Sequence, residues 1–382
     1  MTDSLHIQRL VFRDFRNYHY LELGSLSDLC VFIGKNAVGK TNILEGLQLL
    51  TSAESFRHPQ IMHMIKEGEK SSYLSIEITD GYRLMETALH LEEGKKRFKV
   101  NDKNKTTAEI KGLLPSVIFT PDDLNLVKRS SSVKRDALDA LGSQLNRSYY
   151  IVRNDFEKII RYKNRLLKEE APSLLIESIN ETLITCGSQL FCFRRALFDR
   201  LIVHITKNYE DIAQSAESFS AEYIPSWQKL AMASNGGVGR EASWFSNDVM
   251  NDRELVKEVL ERNLSLWLDE ERRRHHSLVG PHNDQITYML GNKDAASFAS
   301  QGQQRSIALS WKLAEVALIK EIVGVSPVLL LDDVLSELDE QRREMLVGFV
   351  TEDIQTFITA TDLSGFKDDF IDSAKVIALP ID

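Results

Sequence analysis

Residues 5 to 33 open with two runs of alternating apolar and polar positions, LHIQRLVFRDF and YHYLELG, and then close up into LCVFIG. Alternation with period two predicts half-buried strands, and the unbroken run Cys30 to Ile33 predicts a strand covered on both faces. From Asn42 to Ser52 the period becomes helical, with Ile43, Leu44, Leu47 and Leu50 on one stripe. The local order is buried strand, glycine turn, helix. Tyr73 to Val100 alternates again in two or three segments separated by Gly81 and Gly94, which predicts an antiparallel sheet closed by the turn KVNDKNK. After the apolar strand SVIFT the pattern is helical for most of the next 150 residues or so, with apolar spacing of that kind in 133 to 168, 174 to 214 and 251 to 274. Within this stretch Ser234 to Ser243 is glycine-rich and reads as a mobile loop. Strand and helix alternate once more after Gly280: QITYML, a helix Gln303 to Val323, the strand VLLL, a helix near 340 to 350 and the strand QTFITAT.

The pattern predicts an α/β head with mixed sheets, interrupted by a mainly α-helical lobe. Its expected boundaries are 1–125 and 277–382 for the head and 126–276 for the lobe. With 382 residues, 43% hydrophobic and 27% charged, the chain can build such a core without disulfides or a structural metal. Three cysteines, Cys30, Cys186 and Cys192, are too few for a disulfide framework or a four-cysteine zinc site. MTDSLHIQRLVFRDF holds no apolar run of signal-peptide or spanning length, so a cytoplasmic location without membrane contact is expected. A net charge of −9 at first argues against a nucleic-acid partner. However, residues from Asp332 onward include 4 basic and 13 acidic side chains, so the preceding part carries 43 of each and leaves room for local basic clusters.

The candidate chemistry begins at Gly34-Lys35-Asn36-Ala37-Val38-Gly39-Lys40-Thr41, which fits G-x-x-x-x-G-K-[ST] between a buried strand and a helix. Glycines let backbone N–H groups curl around phosphates, the helix N-terminus adds positive potential, Lys40 supplies a fixed charge and Thr41 a magnesium ligand. The plain alternative is a glycine turn with a solvent lysine. A chance match in a chain of this length has a probability of roughly one in a hundred. VLLLDD ends an apolar strand on two carboxylates. In a P-loop protein Asp332 would hold magnesium and Asp333 would polarise the attacking water, or the pair is a solvated turn. Asp333 is one methylene shorter than a glutamate, so slow ATP hydrolysis is expected.

Ser300-Gln301-Gly302-Gln303-Gln304-Arg305 precedes a long helix. Alone it reads as a capped helix. Two dozen residues before VLLLDD, Ser300, Gly302 and Gln303 instead occupy the place of the ABC signature, which reads the phosphate bound by a partner subunit. Ser336 to Asp339 looks like the D-loop of that class, and the fold class is an ABC-type P-loop ATPase head.

GKNAVGKTN, ASQGQQR, LLLDDVLSELDEQRR, QTFITAT, VFRDFRNY and GPHND together resemble the RecF family of bacterial recombination mediators, a match that runs in order through nearly the whole chain and is weakest from 170 to 250. The resemblance implies an ATP- and Mg2+-dependent homodimer that clamps double-stranded DNA at gap junctions and works with RecR and RecO to deliver RecA. It also implies that Arg16 and Asn17 approach the nucleotide, Arg16 having the alternative of an exposed strand arginine, and that Thr359 to Thr361 form the switch segment. This chain departs from the family pattern in PDDLNLVKRSSSVKRDALD, at Arg129, Ser132, Lys134 and Ala137, and in GPHNDQ, at Asn283 and Gln285.

Between Lys128 and Arg165 ten basic residues face four acidic ones, and GKKRFKVNDKNK forms a second basic cluster. DNA contact through Lys128, Arg129, Lys134 and Arg135 is the functional reading, and an ordinary solvated face is the alternative. His275, His276 and His282 lack the companions of a metal site. Trp227, Trp267 and Trp311 are expected core anchors. The combined expectation is an ATP-dependent DNA clamp whose weak ATPase is a timer. The rivals are a nucleotide-gated protein scaffold with incidental DNA contact and an ATPase driving a nuclease.

Overall fold

The computed structural model describes residues 5–92, 94–213, 217–233, 250–350, 354–363 and 366–380, and the loop expected at 234–243 lies outside them. The chain starts with the strands β1 (His6–Phe15), β2 (Tyr18–Leu23) and β3 (Leu29–Ile33), followed by the helix α1 (Lys40–Thr51). Next come β4 (Ser71–Thr79), β5 (Leu84–Glu92), β6 (Lys95–Val100), β7 (Lys103–Lys105) and β8 (Ser116–Phe119). The helices α2 (Ser131–Leu145), α3 (Arg147–Lys168) and α4 (Ser173–Ala213) lead to β9 (Phe219–Ile224), then α5 (Arg253–Leu266) and α6 (Leu268–Arg274). The strands β10 (Gln285–Leu290) and β11 (Lys293–Asp294) precede α7 (Gln301–Val323), β12 (Val328–Asp332), α8 (Glu340–Val350), β13 (Thr356–Ala360) and β14 (Lys375–Ala378).

Two compact units result, residues 1–125 with 305–382 and residues 126–304. The first holds two sheets. One is antiparallel, in the order β2-β1-β4-β5-β6-β7, and the other is parallel, in the order β14-β3-β13-β12-β8. The alternation in the sequence sorts the antiparallel strands: Leu10, Phe12, Leu74, Ile76, Leu89, Leu91 and Phe98 are buried on one face. Helix α1 packs against strands of both sheets, and at Gly46 an added Cβ would lie 2.1 Å from the Phe12 ring, so glycine lets the sheet reach the helix backbone. The Gln355 side chain accepts from the Ile7 N–H at 2.7 Å and donates to the Ile7 carbonyl at 2.8 Å, which ties β1 to the start of β13. Parallel pairing brings the carboxyl ends of β3, β12 and β13 to one edge, where ligands of such sheets bind.

The second unit is helical, as expected, with one correction. Residues 277–304, assigned to the head from sequence, fall with the helices, because β10 pairs along its whole length with β9, a strand hidden in the helical stretch. FSAEYI is too short and too weakly alternating to stand out between two helices.

The GPHND segment is the polar centre of this unit. Gly280 donates to the Ser226 hydroxyl at 2.8 Å, and the Pro281 carbonyl accepts from Arg194 at 2.6 Å. Arg194 is paired through two nitrogens with buried Asp139, at 2.7 and 2.6 Å, and Asp139 also accepts from the Tyr149 hydroxyl. Asn283 donates to the carbonyls of Ser277 and Leu278, both at 3.0 Å. Buried Asp284 accepts from the Tyr223 hydroxyl at 2.6 Å and the Ser226 N–H at 2.7 Å. A buried polar group without partners costs several kcal/mol, and here Asn283 and His282 both meet the Ser277 carbonyl while Asp284 secures Tyr223 and Ser226. Lys163 and Glu271 add a second buried pair at 2.6 Å, between α3 and α6.

Burial drives the His282 imidazole down to about 3 and pushes the Asp284 carboxyl up to about 6. The histidine therefore favours folding above its unfolded value of about 6.5, a contribution lost as pH falls toward 3. The aspartate contributes in the opposite sense, fully below about 3.9 and no longer once pH has risen through 6. Between pH 4 and 6 the two slopes oppose each other. Asp284→Asn removes one, so its unfolding free energy from urea titration should fall relative to the unsubstituted protein on acidification through that range, by up to ~1.4 kcal/mol per pH unit. A constant difference across the range would show that Asp284 does not titrate there.

Candidate functional site

The site is assembled at the carboxyl edge of the parallel sheet. After β3 the chain turns through Gly34 to Gly39 and enters α1, with Gly39 as its N-cap. Gly39 has φ +112°, and an added Cβ would come within 2.6 Å of the Asn17 amide and 2.7 Å of the Tyr18 hydroxyl. Asn17 is the loop's prop: it donates to the Val38 carbonyl at 3.0 Å and accepts from Asn42 at 2.7 Å. Ala37 also has positive φ, at +69°. Lys40 is buried to 7% exposure inside the turn, and its ammonium donates to the carbonyls of Gly34, at 2.5 Å, and Lys35, at 3.0 Å. The solvated lysine of the plain alternative is therefore not what the loop contains.

Opposite the loop, two hydroxyls converge on one carboxylate oxygen. Thr41 and Thr359 each donate to Asp332 Oδ1 at 2.8 Å. Asp332 is at the end of β12, directly across from Thr359 on β13. The next residue, Asp333, is in the left-handed region with φ +51°, and its N–H donates to the Thr359 hydroxyl at 2.9 Å. That hydroxyl thus donates to one aspartate and accepts from the backbone of the other. Burial raises the Asp333 carboxyl above the usual carboxylate range, Lys40 pulls it down and Asp332 pushes it up. A carboxylate held this way is a better proton acceptor than one in water. Thr41 and Asp332 present hard oxygen donors, the type Mg2+ takes while keeping several waters, so the donor set fits the ion.

Arg16 has a different place from the one the resemblance implied. Its Nε and Nη2 donate to both oxygens of Glu45, at 2.9 and 2.7 Å, and its Nη1 donates to the His63 carbonyl at 2.6 Å. Glu45 is fully buried and also accepts from Ser55 at 2.6 Å, and Arg57 bridges Asn42, at 2.8 Å, and Glu45, at 3.5 Å. Arg16 is neither an exposed strand arginine nor turned to the loop; it anchors the β1–β2 turn to the first turns of α1. Sequence reasoning missed Glu45, Arg57, Tyr18 and the bridging role of Thr359. The one available signal was a carboxylate inside the apolar stripe ILEGLQLL, which buried has to find a cationic partner.

Ser300, Gly302 and Gln303 belong to the other unit and are at the start of α7, two residues ahead of its expected start. Ser300 N–H donates to the Gln303 side chain at 2.8 Å, and Gln303 N–H donates to the Ser300 hydroxyl at 3.3 Å. This reciprocal cap orders the stretch while Ser300 remains exposed. In the D-loop segment Asp339 accepts from the N–H of Arg342 at 3.0 Å, and Arg342 donates to Ser306 at 2.9 Å.

The four expected DNA contacts divide. Lys128 and Arg129 are exposed, whereas Lys134 and Arg135 are a correction. Lys134 is buried to 4% exposure, 4.3 Å from the centre of the Tyr288 ring, and donates to the Ile286 carbonyl at 3.3 Å. Arg135 donates to the Asp284 carbonyl. Both bonds fix α2 beside β10; the Lys134 charge is enclosed, whereas Arg135 is half-buried. Among the described residues His275, His276 and His282 join no metal-ligating cluster. Trp227 and Trp311 are fully buried as expected, and Trp267 is half-buried.

Residues 6–369 match the family model described as the RecF/RecN/SMC N terminal domain. A relative from Symbiobacterium thermophilum, named DNA replication and repair protein RecF, is 34% identical over 362 residues, 94% of this chain and 92% of its own. Two solved structures, of the recombination mediator protein RecF with ATPrS and with ATP in the RecFOR pathway, superpose with TM-scores of 0.85 and 0.83. Each is 28% identical and covers 96% of this chain and 95% of its own.

The loop geometry makes a stability prediction of its own. Gly39→Ala forces a side chain onto Asn17 at a left-handed φ and should cost about 1–3 kcal/mol in urea unfolding. Gly348→Ala in α8, where an added Cβ meets nothing within 4 Å, should instead gain up to ~1 kcal/mol. Equal effects at the two positions would mean that the loop is not held as described.

Proposed function

Because the chain belongs to the RecF family, we propose that it is an ABC-type ATPase of DNA replication and repair that closes as a homodimer on double-stranded DNA near single-strand gaps. The observation that carries the reading is the convergence of Thr41, Thr359 and Asp332 beside a P-loop whose lysine lies inside the turn. In this reading Lys40 and the first N–H groups of α1 balance the phosphate charge of ATP. Thr41 and Asp332 hold Mg2+, which when bound neutralises charge on the β- and γ-phosphate oxygens. Asp333 orients water and takes its proton, and Thr359 keeps both aspartates in register. Ser300, Gly302 and Gln303 of a second copy cover the nucleotide, so binding closes the dimer and slow hydrolysis reopens it. RecO and RecR, the companions that the resemblance implies, would then help to load RecA.

A second reading, a nucleotide-gated protein scaffold, is favoured by the inward turn of Lys134 and Arg135. Fluorescence anisotropy of a labelled duplex, with and without ATP and Mg2+, separates the two. The clamp requires tighter binding with nucleotide, and the scaffold requires none.

Lys40→Ala should abolish ATP binding and ATP-dependent dimerisation, and a variant that still dimerises with ATP would refute the clamp mechanism. Ser300→Arg should leave ATP binding by the monomer intact while blocking closure. Unchanged turnover in that variant would rule out a site completed by the second copy.

A further inference from the structure

With Lys134 buried and Arg135 half-buried, only Lys128 and Arg129 of the four expected contacts are exposed, and a DNA clamp has use for phosphate contacts elsewhere. The antiparallel sheet offers them on the face turned away from its core. Its register places Tyr20, Arg13, Tyr73, His90 and Arg97 directly opposite one another on β2, β1, β4, β5 and β6. The row combines three aromatic rings with two arginines, and it contains no carboxylate. Four strand spacings make it ~19 Å long.

The chemistry of the row singles out Arg13. Its guanidinium carbon is 5.9 Å from the centre of the Tyr20 ring and 5.8 Å from that of Tyr73. Among the described residues Arg13 forms no ion pair, and it is exposed. The two rings are themselves held by carboxylates of neighbouring rows on the same face, Tyr20 by a hydrogen bond to Glu22 and Tyr73 by one to Glu86 at 2.9 Å. His90 packs on Tyr73 with ring centres 4.7 Å apart. An arginine clamped between ring faces is stripped of part of its hydration and loses little freedom when its N–H groups meet an acceptor. Arg9, on the same face, is the contrast: Glu22 and Glu77 hold it at 2.6 and 2.7 Å and cancel its charge. At the far end the ion pair of Arg97 among the described residues is a 3.6 Å contact to Glu92, exposed on both sides, of the kind that exchanges readily for a phosphate.

We propose that this outer face is a DNA-backbone contact, with Arg13 and Arg97 each taking a phosphate along the cross-strand row. The assignment rests on the DNA-clamp reading and gives it a surface. The ring faces are turned toward their neighbours within the row, so the surface recognises phosphates rather than stacked bases and is independent of sequence. Three residues beyond Arg13 the same strand reaches the turn in which Asn17 props the P-loop, so both contacts are on one β-hairpin.

The test is anisotropy titration of a labelled duplex with the full chain, ATP and Mg2+, over a range of salt concentrations, comparing the unsubstituted protein with Arg13→Gln/Arg97→Gln. Lys367→Gln, which loses one positive charge elsewhere in the same unit, is the control. The double variant should bind about tenfold more weakly, with a log K against log salt slope shallower by ~2, and with unchanged ATP binding. Affinity and slope equal to those of the control, in a protein that does bind duplex, would overturn this surface and leave the clamp standing. Absence of duplex binding by the unsubstituted protein would overturn both.

Discussion

One oxygen atom organises the head. Asp332 Oδ1 accepts the Thr41 hydroxyl from the helix that leaves the P-loop and the Thr359 hydroxyl from the neighbouring strand. These two bonds of 2.8 Å hold together three segments far apart in the chain, and the backbone of Asp333 is fixed to the same Thr359. In a site largely screened from water such bonds are geometrically strict, because a misplaced donor leaves a carboxylate buried without a partner. The parallel sheet exists, in functional terms, to end β3, β12 and β13 at one edge so that these groups meet.

A second constraint acts on the hairpin beside the loop. Buried Glu45 draws Arg16 and Arg57 to it, and Asn17 then reaches the Val38 carbonyl, so that the turn around Lys40 is supported from outside by a polar network. The P-loop is thus rigid without being apolar. The helical unit shows the same strategy in another place. There Arg194, Asp139, Asp284 and Tyr223 spend their charges and hydrogen bonds on one another around Gly280 to Asp284. A segment that entered the sequence reading only through the family resemblance is the polar centre of that unit.

Basic residues illustrate how burial reassigns charge. Lys134, Arg135, Lys163 and Arg194 are counted as cations in the sequence, yet Lys134, Lys163 and Arg194 are buried and Arg135 is half-buried; Lys163 and Arg194 are paired with carboxylates, and Lys134 and Arg135 donate to backbone carbonyls. Arg13, which belongs to no run of charge, is exposed between two tyrosines. Density of basic residues along the chain was a poor guide because sequence neighbours on a helix face different sides, whereas residues from five strands share one row only once the register is set.

The sequence by itself determined what depends on local period and on a contiguous motif. The strand, turn and helix around Gly34 to Thr41, the apolar strand ending at Asp332 and Asp333, the antiparallel segments from Tyr73 to Val100 and the long helices were all legible, because each is encoded within a window of a few residues. Tertiary structure alone decided the rest: that Thr359 bridges the two aspartates, that Arg16 serves Glu45, that β9 pairs with β10 and draws residues 277–304 into the helical unit, and that Arg13 and Arg97 share one row. Each of these is a partnership between segments distant in the chain. Pattern reports which residues will be buried, but only packing and register choose the partner that a buried or clamped polar group will have.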